Sequence, residues 1–322
     1  METSNELKVK DYVNHANLSM PKTGVLFSDF ISDTIKRKSR RMKESYGRNY
    51  RTVLYQIDRF CSETGAVLYT NSINEEFLDD FIVYLESKNL KKSYIKTILD
   101  SMKAMIRKAA NYGYAVDRSY DDVEIDQEEI PAVYLTMNEI ARIYYFQGLT
   151  KKQERIKDLF VVGCYTALRY SDLSTLKKEN FSGGYISKIT KKTGARVIIP
   201  IHDFVAEIYA KYDGDISTNL SSQHFNRYIK RICEKIGISD KVTQMYTKGG
   251  IIVTEIKEKW ELISSHTARR SGATNLMRTG RLSVNDIMKI TGHTSEKSFM
   301  RYVKTSKEDN AKQMAGDNFF RK

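Results

Sequence analysis

Residues 264–277 read "SSHTARRSGATNLM". Taken as a helix opening at Ser265, this stretch puts His266 and Arg269 one turn apart on one face. The histidine offers a hydrogen bond and the arginine a permanent charge, a pairing that suits a phosphate. The fragment by itself leaves open whether a phosphate is only held or also attacked. Its helical reading, repeated over most of the chain, makes the protein mainly α.

The flanks of this helix carry short β-insertions. On its N-terminal side, "KVTQMYTKGGIIVTEIKEKWELI" (241–263) sets Gly249-Gly250 between β-rich runs and predicts a hairpin, with Trp260 as a hydrophobic anchor. Further upstream, "TMNE" (136–139) is a capping-box pattern leading into Ile140, Ile143 and Tyr144. "ERIKDLFVVGCYTALRYSDLSTLKKENF" then predicts a buried helix, a break near Thr166 and a short helix begun by Ser171. "YISKITKKTGARVIIPI" predicts another hairpin around a Lys-Thr-Gly turn, and "HDFVAEIYAKY" and "SSQHFNRYIKRICEKIGI" return to helix. Past Arg278, helices resume at Ser283, where Asp286 completes a capping box, and from Thr294 through Val303.

The first third of the chain reads differently. Residues 1–22 are polar and end in "SMPKTG", which predicts an arm or short extra element, too short for a full module. From Val25, "VLFSDFISDTIKRKSRRMK" opens on an apolar stripe and turns basic. Lys36, Arg37, Lys38, Arg40, Arg41, Lys43, Arg48 and Arg51 lie in one run opposed only by Glu44, a density that suits a DNA backbone. "YRTVLYQIDRFCSETG", "NEEFLDDFIVYLESKN" and "LKKSYIKTILDSMKAMIRKAANYGY" complete a bundle of about four helices. "DRSYDDVEIDQEEIP" then flips to acidic and reads as an interdomain linker. The expected layout is an arm at 1–22, a helical domain at 23–115, an acidic linker at 116–133 and a second domain at 134–322.

Composition bounds the rest. A chain of 322 residues, 41% hydrophobic and 29% charged, folds and is long enough for two domains. Its 53 Lys plus Arg against 40 Asp plus Glu give +13, which favours an anionic partner. Cys61, Cys164 and Cys233 are scattered, as in a reducing cytoplasm, and form neither a disulfide framework nor a thiolate metal cluster. No apolar run approaches a membrane-spanning length, and the N-terminus lacks an export signal's apolar core, so a cytoplasmic protein without a membrane partner is expected.

Four separated pieces now need one explanation: "TALRYSDLSTL" (166–176), "TKKTGARVIIP" (190–200), the 264–277 helix, and "TGHTSEKSFMRYV" (291–303). In this order and spacing they resemble the tyrosine recombinase (phage-integrase) family, in the flavour of Bacteroides-type mobile-element integrases. The resemblance implies a SAM-like core-binding helical domain followed by a mixed α/β catalytic domain with small β-hairpins. It assigns Arg169 and Arg269 as catalytic arginines, Lys192 as the catalytic lysine, His266 and His293 as the histidines and Tyr302 as the nucleophile, with Asp172 supporting. It implies duplex DNA as partner, four protomers on two DNA sites, a possible accessory DNA-bending or directionality factor, a C-terminal segment lent to a neighbouring protomer, and no metal or other cofactor.

The chemistry follows without the name. Attack on a phosphodiester builds charge on its non-bridging oxygens, and two guanidiniums are suited to bear it. A tyrosine hydroxyl, with a reference pKa of about 10, needs help to lose its proton, and the departing 5′ oxygen must gain one. His266, His293 and Lys192 are the available groups, with the division between the histidines open and Lys191 a neighbouring alternative to Lys192. One phosphoester replaces another, so joining needs no ATP, and the chain has no GxxxxGK[ST] loop. A catalytically silent DNA-binding architectural protein and a type IB-like topoisomerase or resolvase remain the alternatives.

Overall fold

The computed structural model describes residues 23–38, 44–303 and 315; the proposed arm, Arg40, Arg41, Lys43 and all but Ala315 of the C-terminal segment lie outside them. Two compact units result, one of Met1–Ile130 with Met245–Thr254, the other of Pro131–Gln244 with Glu255–Lys322.

Unit 1 is helical: α1 (Phe27–Lys38), α2 (Glu44–Thr64), α3 (Glu75–Ser87) and α4 (Lys92–Asn111). Apolar residues at three- and four-residue spacing converge on one core, including Phe27, Ile31, Ile57, Phe81, Leu99 and Ile106. Asn74 begins α3 by accepting the Phe77 N–H at 2.9 Å. The acidic stretch expected as a linker is partly folded into this unit. A 3₁₀ turn at Arg118–Asp121 buries Tyr120, and Val123 joins the same core. Lys103, itself buried, donates to the carbonyls of Asp121 and Val123. A few apolar residues among seven acids, Tyr120 and Val123 buried and Ile125 packed beside them, dock the chain, and the charges around them mask that signal.

Unit 2 runs α5 (Met137–Tyr145), α6 (Lys151–Thr166), α7 (Tyr170–Leu173), β1 (Phe181–Ser182), β2 (Tyr185–Ile189), β3 (Arg196–Pro200), α8 (Asp203–Lys211), α9 (Ser222–Ile236), β4 (Lys241–Lys248), β5 (Ile251–Glu258), α10 (Lys259–Leu262), α11 (Ser265–Arg278), α12 (Val284–Thr291) and α13 (Glu296–Met300). The expected capping box opens α5, where Thr136 and Glu139 bond reciprocally; α12 opens on the Ser283 cap, whose hydroxyl accepts the Asp286 N–H without the reciprocal bond that would complete the expected box. Strands β1, β2 and β3 form one antiparallel sheet, with Ile189 opposite Arg196 at the turn. The last helix is shorter than expected, ending at Met300.

Helices α6 and α11 form the spine of unit 2. Their closeness needs glycine: a Cβ on Gly272 would lie 2.6 Å from the Cys164 carbonyl oxygen. The hairpin of β4 and β5 divides, since its tip, residues 245–254, clusters with unit 1 and not with the rest of the second domain. Gly249 and Gly250 both have positive φ, as the tight hairpin turn demands. With no side chain there, the Gly249 N–H reaches the Leu90 carbonyl at 2.9 Å.

Candidate active site

The site grows from the end of α6. That helix stops at Thr166, and Ala167 follows in the left-handed region at φ 50°, a strained conformation for a residue with a Cβ. The reversal turns the Ala167 carbonyl toward α11, where it accepts Arg269 Nη1 at 2.6 Å. Two residues on, Arg169 begins the short helix α7, which carries Asp172.

Arg269 is 1% exposed, the largest side chain buried so completely. Its Nη2 donates to His293 Nε2 at 2.9 Å. A guanidinium only donates, so Nε2 must be the accepting nitrogen and the proton sits on Nδ1. Nδ1 lies 2.7 Å from Thr291 Oγ1, whose own hydroxyl donates to the Ile287 carbonyl at 2.8 Å. Burial first, then the charges of Arg269, Arg169 and Lys192, push His293 down to about 3. His293 is therefore a neutral acceptor at physiological pH in this arrangement.

Tyr302 completes the cluster. Its ring centroid is 5.1 Å from that of His293, and Arg269 Cζ sits 5.4 Å over the same ring. Thr274 Oγ1 donates to the Tyr302 carbonyl at 3.3 Å, fixing the backbone of this half-buried residue against α11. Burial and the nearby Arg169 charge lower Arg269 to about 10, with Tyr302 and Asp172 opposing the shift. His266 lies exposed on α11, and desolvation followed by Arg270, Arg269, Arg169 and Lys192 holds it below an ordinary imidazole value.

Lys192 occupies the exposed turn between β2 and β3, closed by the Thr190 N–H to Ala195 carbonyl bond at 2.9 Å. Its charge depresses both His266 and His293, whereas that of Lys191 acts on Lys188. The Lys192 charge therefore reaches both histidines. Asp172, 0% exposed, accepts the Lys191 N–H at 2.8 Å through Oδ1. Among the described residues, Arg169 Nη1, Arg269 Nε and Asp172 Oδ2 are buried without a hydrogen-bond partner. Unmet donors on two neighbouring guanidiniums make a site for an anionic group with several oxygens. No group of three His, Cys, Asp or Glu side chains among the described residues is placed to hold a metal ion.

Similarity to known proteins agrees with this geometry. The phage integrase family model matches residues 133–309, more than half of the chain. The chain belongs to the phage integrase family. The phage integrase SAM-like domain matches residues 26–126. No curated protein matches the sequence. Among solved structures, a lambda integrase dimer bound to a COC′ core site is 18% identical with a TM-score of 0.67, over 87% of this chain and 96% of that one. A lambda integrase tetramer bound to a Holliday junction is also 18% identical, with a TM-score of 0.66 over 87% and 78%. The Tn1549 transposon integrase in complex with a circular intermediate DNA is 15% identical, with a TM-score of 0.65 over 90% and 98%. At such identities these likenesses speak for the fold alone, a helical domain followed by a mixed α/β domain.

All seven residues singled out in the second domain fall in unit 2, where Arg269, His293 and Tyr302 contact one another. The basic run lies elsewhere: Lys36, Arg37, Arg48 and Arg51 are exposed on α1 and α2 of unit 1, and Lys38 ends α1. Arg37 pairs weakly with Asp33 at 3.4 Å. Sequence reasoning missed four contributors. Thr291 orients His293, the Ala167 carbonyl holds Arg269, Asn226 Oδ1 accepts the Ser265 N–H at 2.8 Å to open α11, and Arg270 Nη1 donates to the Val133 carbonyl at 2.8 Å. Only the hydroxyl two places before His293 left a local trace; the other three are contacts between segments far apart in sequence.

Proposed function

We propose that this recombinase cuts and rejoins duplex DNA at specific sites through a 3′-phosphotyrosyl intermediate, with Tyr302 as nucleophile. The observation that carries this reading is the pair of buried, unpartnered guanidinium donors on Arg169 and Arg269 beside the Tyr302 ring. They bind the non-bridging oxygens and stabilise the charge that builds there in the transition state. The Tyr302 oxygen forms a bond to phosphorus, the P–O5′ bond breaks, and O5′ takes a proton from the Lys192 ammonium. Arg269 occupies His293 Nε2, which favours His266, neutral at physiological pH, as the group that takes the tyrosine proton. His293 then serves by holding Arg269. A 5′ hydroxyl from another strand reverses the step, so joining needs no external energy source.

The basic run of unit 1 would contact the DNA backbone, with Lys36, Arg37, Arg48 and Arg51 on exposed faces. Assembly as four protomers on two sites, integration or excision of a mobile element and help from an accessory DNA-bending factor complete the proposal. The lambda integrase tetramer and the transposon integrase support the first two by analogy of fold. Incubation with a nicked duplex, from which the strand downstream of the cut escapes, tests the central claim. The native protein should accumulate a covalent adduct and Tyr302→Phe should form none while still binding DNA; a persistent adduct in the variant removes Tyr302 from the role.

A further inference from the structure

His266, Arg270 and Thr274 follow one another at four-residue spacing on α11, so their side chains form one row along the helix. The last member of the row touches the segment of the nucleophile, since Thr274 Oγ1 donates to the Tyr302 carbonyl at 3.3 Å. Arg270, the middle member, is tethered: its Nη1 donates to the Val133 carbonyl at 2.8 Å. That anchor is itself pinned to α11. Two residues on, Leu135 gives its N–H to Ser271 Oγ at 2.8 Å, and its carbonyl accepts Asn275 Nδ2 at 2.9 Å. Arg270 Nε, by contrast, is buried with no hydrogen-bond partner among the described residues. Packing alone gives no reason to bury an unmet cationic donor one turn from an imidazole. Burial lowers His266 first, and the charges that add to it are those of Arg270, then Arg269, Arg169 and Lys192.

We infer that Arg270 is a positioning residue for proton transfer: its tethered charge keeps the His266 imidazole neutral, ready to take the Tyr302 proton. This rests on the reading of His266 as the general base. In that step the Tyr302 O–H bond breaks, its electron pair goes to phosphorus, and the proton moves to the imidazole nitrogen. The imidazolium so formed lies beside a like charge that cannot swing away. It therefore returns the proton readily when the tyrosine oxygen departs in the joining step. Arg269 spends its donors on the Ala167 carbonyl and His293, so this duty falls to its neighbour.

The test reads His266 directly. Imidazole resonances of the full chain, assigned by their loss in His266→Ala and followed by NMR from about pH 5 to pH 8, should titrate below the ordinary 6.5. Arg270→Gln and Arg270→Met, two uncharged variants of different shape, should raise that midpoint toward 6.5. Arg270→Lys keeps the charge and should leave the midpoint low. Cleavage of the nicked duplex at limiting enzyme, which reports the free protein, should show an acid limb that moves up with the midpoint in both uncharged variants. His266→Ala should lose about 10²–10⁴-fold in rate, and the limb with it. A His266 midpoint that stays put in the uncharged variants overturns the role of Arg270, whatever their rates. An acid limb that survives unchanged in His266→Ala removes the general-base reading instead.

Discussion

Two cationic regions of this recombinase differ in kind. The run on α1 and α2 is dense in sequence, and its described members Lys36, Arg37, Arg48 and Arg51 are exposed to water. The site in unit 2 gathers Arg169, Lys192 and Arg269 from segments far apart, and buries Arg269 almost completely. Water screens the first set, so it suits reversible contact with a polyanion. The second has lost its water and holds donors unmet, so an anion placed there gains far more. Density of charge attracts; burial without partners reacts.

The contrast between the two regions breaks first at Tyr302. Tyr302→Phe should abolish covalent adduct on a nicked duplex and leave DNA affinity unchanged, since exposed charge and reacting group are separate. Next, Arg269→Lys keeps the charge but loses the fork that spans the Ala167 carbonyl and His293 Nε2. Single-turnover cleavage should slow by about 10²–10³-fold, as when one preorganised donor is removed from an anion site.

Acid sharpens the contrast. His293 titrates near 3 in the fold and at 6.5 when unfolded, so the unfolded chain binds the extra proton. The stability that neutral His293 gives is fully present above pH 6.5 and declines as pH falls toward 3. Urea midpoints should drop between pH 7 and pH 5 in the native protein, and drop less in His293→Gln. Smaller still, Gly272→Ala would force a methyl against the Cys164 carbonyl and should cost about 1–3 kcal/mol in thermal or urea unfolding. At the exposed end of the scale, Arg48→Ala with Arg51→Ala should leave single-turnover cleavage of bound DNA intact. The salt dependence of binding should flatten by about 0.9 in log–log slope for each phosphate no longer neutralised.

What was legible in the sequence shared a short range. The capping box at Thr136 and the cap at Ser283 involve groups three residues apart, and the turn between β2 and β3 announced itself by apolar runs around Lys-Thr-Gly. The ordered pieces around Arg169, Lys192, Arg269, His293 and Tyr302 identified the family, because a mechanism needs those residue types wherever the chain places them. The acidic stretch misled, since seven acidic residues hid the apolar ones, Tyr120, Val123 and Ile125, that dock it in unit 1. The β4–β5 hairpin was legible as a hairpin but not as a tip belonging to unit 1, which depends on Gly249 meeting Leu90.

By itself, then, the sequence determined which side chains this recombinase owns and which local elements carry them, because periodicity and capping act over one or two turns. Only the tertiary structure decided that Arg269 is buried, that His293 accepts from it and that Asp172 grips the peptide beside Lys192. Those states depend on desolvation and on contacts across tens to hundreds of residues, which no local pattern encodes.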